Sequence, residues 1–275
     1  MGTLMRTVTL LFLGILFASP ASVVEAQTIT QRLTQPAWED RGYFHVSFGG
    51  QTGDQEFTES STFDIYGERG AVAAGHTIGG GTLTDISLGG RVWKNLGVGL
   101  AYSTISNKND ATVSARVPHP IIFGQSREAT TTVSDLEHKE SAVHLQFLWM
   151  LPLTNKIQVA FMIGPSFFTV RQQIASLPNP RQNITDVAPF TTVTINNVTV
   201  TEVKDSPVGI NIGFDATYML TTPRIIASRG VRLGAGFFLR YAGASPDFSA
   251  TEGTTRDGEI DAGGVQAGLG LRLRF

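Results

Sequence analysis

The chain has no cysteine, so neither a disulfide framework nor a thiolate metal site can hold it together. It carries little charge: 16% of its residues are Asp, Glu, Lys or Arg, and the formal net charge is −2. That balance excludes the broadly basic surface of a nucleic-acid binder. It also lacks any apolar run of the roughly 20 residues that a membrane-crossing helix needs. If the chain sits in a membrane, it must cross as a closed barrel, because lipid cannot satisfy an open sheet edge. What it has in quantity is glycine, 30 of 275 residues. With abundant threonine and valine, that is a composition of strands and turns.

Arg6 is the only charge ahead of a short apolar run at 8–18, which Pro20 ends. Val24 and Ala26 then place small residues at the two positions a signal peptidase reads. Residues 1–26 therefore read as a secretory signal peptide, cut before Gln27. Residues 27–40 are polar, contain Pro36, and read as a short periplasmic N-terminal tail. The remainder, 41–275, alternates.

Alternation of apolar and polar residues marks strands with one greasy and one polar face. It predicts strands at 41–50, 83–93, 96–106, 140–151, 156–170, 207–220, 231–241 and 262–275. In the third, Leu96, Val98, Leu100 and Tyr102 share one face and Gly97, Gly99, Ala101 and Ser103 the other. Long connections at 51–81, 107–139, 171–206 and 242–258 alternate with short ones at Lys94-Asn95, 152–155 and 221–230. The first long connection contains a semi-regular piece at 62–76. Strands of about 10 residues joined by alternately long and short connections are the pattern of a transmembrane barrel. Aromatic residues fall where interfacial girdles belong: Phe44, Trp149, Tyr218 and Phe275 at the short-turn end, and Tyr102, Phe167 and Tyr241 at the long-loop end. A secreted sandwich or lipocalin would alternate too, but the glycine-rich polar face suits a narrow lumen better than a solvent surface.

The last strand carries a resemblance. Val265, Ala267, Leu269, Leu271, Leu273 and Phe275 alternate with Gly264, Gln266, Gly268, Gly270, Arg272 and Arg274. This resembles the closing strand of bacterial outer-membrane β-barrels, and over most of 41–275 the chain resembles the eight-stranded family of the OmpA transmembrane domain, OmpX and OmpW. The resemblance implies an all-β fold: an eight-stranded antiparallel up-and-down transmembrane β-barrel with long extracellular loops and short periplasmic turns. It also implies outer-membrane lipid and lipopolysaccharide as surroundings, and the barrel-assembly machinery as a partner in biogenesis. Leu271, Leu273 and Phe275 would be the assembly signal. No peptidoglycan-binding domain is expected after the last strand, so that domain's anchoring role does not carry over. The family motif is architectural, and no functional residue transfers.

Inward parity collects Arg91, Arg232, Arg240, Arg272 and Arg274 against Asp215, read as the only inward acid. Arg91, Arg232, Arg272 and Arg274 are expected to form one basic ring near the periplasmic mouth. Asp215 is expected to pair with an inward arginine, given room by Gly234 and Gly236. No cofactor is expected. His76, His119, His138 and His144 have no metal-ligand spacing, and Gly79-Gly80-Gly81 lacks the strand–helix setting of a phosphate loop. Asn183-Ile184-Thr185 and Asn197-Val198-Thr199 match glycosylation sequons of a kind that arises by chance. His45 and Ser47 share one strand face, but without a triad they read as lumen lining. Ile121-Ile122-Phe123, in the second long loop, reads either as packing against neighbouring loops or as a contact for a partner. The expected function is non-enzymatic, structural or surface-interacting. A small pore or carrier for apolar solutes is the alternative, although eight strands usually leave an interior filled by side chains.

Overall fold

The computed structural model describes residues 40–53, 55–220, 231–250, 254–258 and 260–275. The predicted signal peptide, the predicted tail up to residue 39 and the predicted turn at 221–230 lie outside them. Strands follow in chain order as β1 (Gly42–Gln51), β2 (Gln55–Ile65), β3 (Glu68–Ile78), β4 (Gly81–Trp93), β5 (Leu96–Pro118), β6 (Ser126–Pro152), β7 (Ile157–Ser176), β8 (Ile184–Asp186), β9 (Val193–Ile195), β10 (Thr199–Asp205), β11 (Val208–Met219), β12 (Arg232–Ala244), β13 (Thr255–Asp257) and β14 (Ala262–Arg274), with one helical turn at Pro180–Asn183.

Eight of these strands close a ring. β1 pairs with β4, β4 with β5, β5 with β6, β6 with β7, β7 with β11, β11 with β12, β12 with β14, and β14 returns to β1, every pair antiparallel. These are the eight strands the alternation predicts. The closing pair sets Tyr43 opposite Arg274, His45 opposite Arg272 and Ser47 opposite Gly270. The Phe275 carbonyl accepts the N–H groups of Arg41 and Gly42, each at 2.7 Å. The Phe275 ring lies over Gly42, where a Cβ would sit 2.5 Å from it. The terminal aromatic thus caps the seam.

The outer face is apolar. Phe48, Leu88, Leu100, Phe147, Ile163, Ile212 and Leu269 all stand exposed on it, as do the girdle residues Trp149, Tyr218, Phe275, Tyr102, Phe167 and Tyr241. Exposed apolar surface on this scale is disfavoured in water by roughly 25 cal/mol per Å². Lipid removes that cost.

Above the ring, most of what alternation left as loops is strand. β5 and β6 run for 23 and 27 residues, and their threonines and charges, which mask the pattern, face water. The piece at 62–76 belongs to the β2–β3 hairpin. That hairpin turns at Tyr66 and Gly67, whose φ angles of 55° and 77° suit a two-residue turn matching the strand twist. β3 lies on β5, β10 on β7 and β13 on β2. Together they enclose an apolar core that includes Val72, Val113, Val117, Leu136, Leu177 and Ile184.

A β-bulge makes this change of interior possible. Between the pairs Asn109–Leu136 and Ala111–Val133 the register shifts, so Ser134 and Asp135 oppose Asp110 alone. Asp135 has a φ of 62°. One extra residue flips side-chain parity: β6 turns Leu136, His138 and Glu140 inward on the ring side, but Ala129 beyond the bulge.

The sidedness can be checked directly. Cysteine at Asp110 or Phe123 should react with an impermeant maleimide on intact cells, and cysteine at Lys94 or Thr154 only after lysis. The opposite pattern would invert the topology.

Candidate functional site: the charged interior

The inward parity of the ring strands places polar side chains in a space from which both lipid and bulk water are excluded. Arg240, Arg272 and Arg274 are each exposed by 1% or less. A guanidinium so placed must find acceptors, because an unpaired buried charge is costly.

Arg272 finds Asp215. Its Nε donates to Asp215 Oδ2 at 2.8 Å and its Nη2 lies 2.7 Å from the same oxygen. Its Nη1 donates to Ser47 Oγ at 2.7 Å. The other carboxylate oxygen accepts the Thr217 hydroxyl at 2.7 Å. Gly236, on the neighbouring strand, gives the arginine its room: a Cβ there would lie 3.1 Å from Arg272 Nε. Gly234 does not share this role, since a Cβ on it would meet Met219 and Thr217.

Farther from the short turns, Arg240 donates from Nη2 to Asp85 Oδ2 and from Nε to Gln266 Oε1, both at 2.7 Å. From Gln266 a hydrogen-bonded chain continues through Gln51 to Glu140, at 2.7 and 3.1 Å. Glu140 also accepts the Gly263 N–H at 3.0 Å. His138 bridges Glu140 and Gln172, at 2.9 and 2.6 Å. Gly263 has a φ of 89°, and a Cβ would lie 2.0 Å from the Ala242 carbonyl oxygen, so only glycine fits there.

At the short-turn end Arg232 holds Asp40, with Nε donating to Oδ1 at 3.0 Å and Nη2 donating to Oδ2. Tyr43 lies flat across the wall: a Cβ on Gly99 would fall 2.0 Å from its hydroxyl and one on Gly89 2.6 Å from its ring. The Arg274 guanidinium carbon stands 5.2 Å from the Tyr43 ring centre, within cation–π range.

Three sequence expectations change. Asp215 is not the sole inward acid: Asp85 and Glu140 are buried inside as well, at positions of the same parity. Arg91 is not in the cluster. It is exposed where β4 is irregular between Arg91 and Trp93, and its N–H donates to the Arg41 carbonyl. There is also no basic ring at the mouth. Arg232 and Arg272 each have an acid, and Arg272 lies deeper than Arg274 and Arg232, which face each other across β12 and β14.

His45 and Ser47 do not form a nucleophile pair. Ser47 Oγ accepts from Arg272, and His45 Nδ1 points to Asp215 at 3.8 Å. Sequence reading missed a second histidine arrangement: His144 bridges Ser103 at 2.9 Å and Ser166 at 2.7 Å, with Asn211 donating to Ser166 at 2.9 Å. Ser103, His144 and Ser166 are fully buried, so the trio ties β5, β6 and β7 together out of reach of substrate. Among the described residues no group of three His, Cys, Asp or Glu side chains is placed to hold a metal ion.

Removing one partner of the Asp215–Arg272 pair should destabilise the folded barrel by about 3–5 kcal/mol, because it strands the other charge. Asp215→Ala and Arg272→Met, each compared with the double variant by urea unfolding in lipid vesicles, should show the double variant less damaged than the sum. Simple additivity would mean the two side chains do not act as a pair.

No family model matches the chain, and no curated protein sequence is significantly similar to it. Among solved structures it is similar to the attachment invasion locus protein Ail of Yersinia pestis, at 7% identity and a TM-score of 0.36, covering 86% of this chain and 99% of that one. It is also similar to Neisserial surface protein A, at 13% identity and a TM-score of 0.32, covering 84% and 95%. A third is the outer membrane protease OmpT of Escherichia coli, at 10% identity and a TM-score of 0.40, covering 88% and 99%. By its own geometry, a closed ring of eight antiparallel strands with an apolar outer face and an ion-paired interior, the chain is an eight-stranded β-barrel of the transmembrane type.

Proposed function

We propose that the protein is a closed, non-enzymatic barrel whose working part is the folded platform above the membrane, built to contact another surface. One observation carries this reading: the tip of the β5–β6 hairpin presents Ile121, Ile122 and Phe123 at 74%, 52% and 85% exposure on a fully organised turn. His119 Nδ1 accepts the N–H groups of Ile121 and Ile122 at 3.1 and 3.0 Å. The Gly124 N–H donates to the Glu68 carboxylate at 3.0 and 3.2 Å. The His119 N–H donates to the Gln125 carbonyl at 2.8 Å. The backbone is satisfied without the three apolar side chains being covered. A contiguous apolar patch held this way marks a contact site.

The base of the turn is also pinned. Arg127 forms a two-pronged ion pair with Asp186 and donates to the carbonyls of Phe190 and Pro118, at 3.0 and 2.9 Å. The Arg127 hydrogen bonds hold the Asp186 carboxyl below its ordinary value of 3.8. The alternative function, a small pore or carrier, would need a path through the space that Arg240, Arg272 and Arg274 occupy. Leu271, Leu273 and Phe275 remain the stretch we assign to recognition by the assembly machinery.

In planar bilayers the purified protein should give no stable conductance steps; regular single-channel openings would overturn the closed-barrel reading. Replacing Ile121, Ile122 and Phe123 with serine should leave the unfolding temperature of the barrel unchanged and strongly reduce adherence of expressing cells to hydrocarbon droplets and to epithelial monolayers. Undiminished adherence would remove the tip from the contact.

Acid should loosen the base of the turn. Because the folded pKa of Asp186 is depressed, its contribution is fully present above the ordinary carboxylate range. It is lost as pH falls through the lowered value. Amide hydrogen exchange at 184–195 should therefore stay slow from neutral pH down to about pH 4 and speed up only below it, after correction for intrinsic rates. Asp186→Asn should show fast exchange at every pH.

A further inference from the structure

We propose that the barrel interior holds a buried halide-sized anion beside Arg274. Five charged side chains border the cavity enclosed by β1, β4, β6, β7, β11, β12 and β14: Asp85, Asp215, Arg240, Arg272 and Arg274. Asp85 is taken by Arg240 and Asp215 by Arg272. Asp40, the next carboxylate toward the short turns, is held through both oxygens by Arg232. Arg274 is left with no carboxylate within ion-pair distance among the described residues, and the cavity wall carries one positive charge in excess.

The donors around this charge point to the same conclusion. Arg274 Nε and Nη1, the Tyr43 hydroxyl and His45 Nε2 have no hydrogen-bond partner among the described residues. All three residues border the cavity and are more than nine-tenths buried, at 1%, 3% and 6% exposure. The Arg274 guanidinium and the Tyr43 hydroxyl supply the fixed donors of a preorganised anion cradle, with His45 at its edge. The Tyr43 ring cannot swing away, since it lies against Gly89 and Gly99. The cavity measures about 20 Å³, a little more than one water-sized sphere occupies. A monatomic halide is the smallest anion that would supply the missing charge in so small a space; sulfate, phosphate and organic carboxylates are bulkier. A neutral water would satisfy some donors but would leave the buried guanidinium uncompensated, which is the larger cost.

Crystals grown with sodium bromide in place of chloride should show an anomalous peak within hydrogen-bonding distance of Arg274 Nε or Nη1. In parallel, the temperature at which the barrel loses its folded gel mobility should be several degrees higher in chloride or bromide than in gluconate at equal ionic strength. Tyr43→Phe keeps the ring and removes one donor, so it should reduce that halide dependence. Arg274→Met should abolish it. If Arg274→Met fails to fold, Tyr43→Phe and the anomalous map still decide. An ordered water with no anomalous signal at the site, or equal stability in halide and gluconate, would overturn the proposal. Neither result bears on the platform's contact role, which is read from adherence.

Discussion

Every backbone N–H and C=O inside a bilayer must find its partner within the protein, and that requirement governs the rest of this molecule. It closes β14 onto β1, so the ring has no edge. Closure with eight strands leaves a narrow interior, filled by a mixture of side chains: Leu83, Leu148, Met150, Met162 and Phe238 are buried there beside the arginines and acids. Its charges are then deprived of bulk water and must neutralise one another. Asp215 with Arg272 and Asp85 with Arg240 follow from closure. A buried pair is weak evidence for stability compared with an apolar filling.

The platform obeys the opposite rule because it stands in water. There the outward residues are mostly polar and the enclosed ones mostly apolar, as in a soluble sandwich, with Glu59 and His76 as buried exceptions. β5 passes from one regime to the other without a break, turning Ser103 inward within the ring and Val113 and Val117 inward above it. β6 makes the passage with a bulge. The positive φ at Asp135 marks the residue where the chain changes which parity faces in.

The ring was legible in the sequence because lipid enforces strict alternation over about ten residues per strand, and no other feature of the chain imitates that. The Asp215–Arg272 pair was legible for the same reason, with Gly236 as the clue that one wall offered space. Asp85 and Glu140 also sit at inward parity on predicted strands, but their partners Arg240 and Gln51 lie far away in sequence and no local pattern marks them. Arg91 misled because parity fails where β4 becomes irregular. Gln51, His138 and Gln172 lie at or past the predicted strand ends. The hydrogen-bonded chain they complete appears only when those strands are seen to continue. The platform strands stayed hidden for a physical reason: threonine and charge suit a strand facing water as well as they suit a loop.

That chain also shows how the two regimes are joined. Gln51 lies at the end of β1, Glu140 and His138 on β6 just below the bulge, Gln172 on β7, and Gly263 near the start of β14. Their contacts stitch four strands together at the level where the platform begins. The exposed tip at Ile121–Phe123 is carried by β5 and β6, which are continuous from the short turns upward. A displacement of the tip therefore cannot be absorbed by a loop. It must bend two strands whose lower halves are locked by the ring and whose junction is locked by Glu140. A surface meant for contact loses less entropy on binding when it is already held in place. The hydrogen-bonded junction around Glu140 is what holds it.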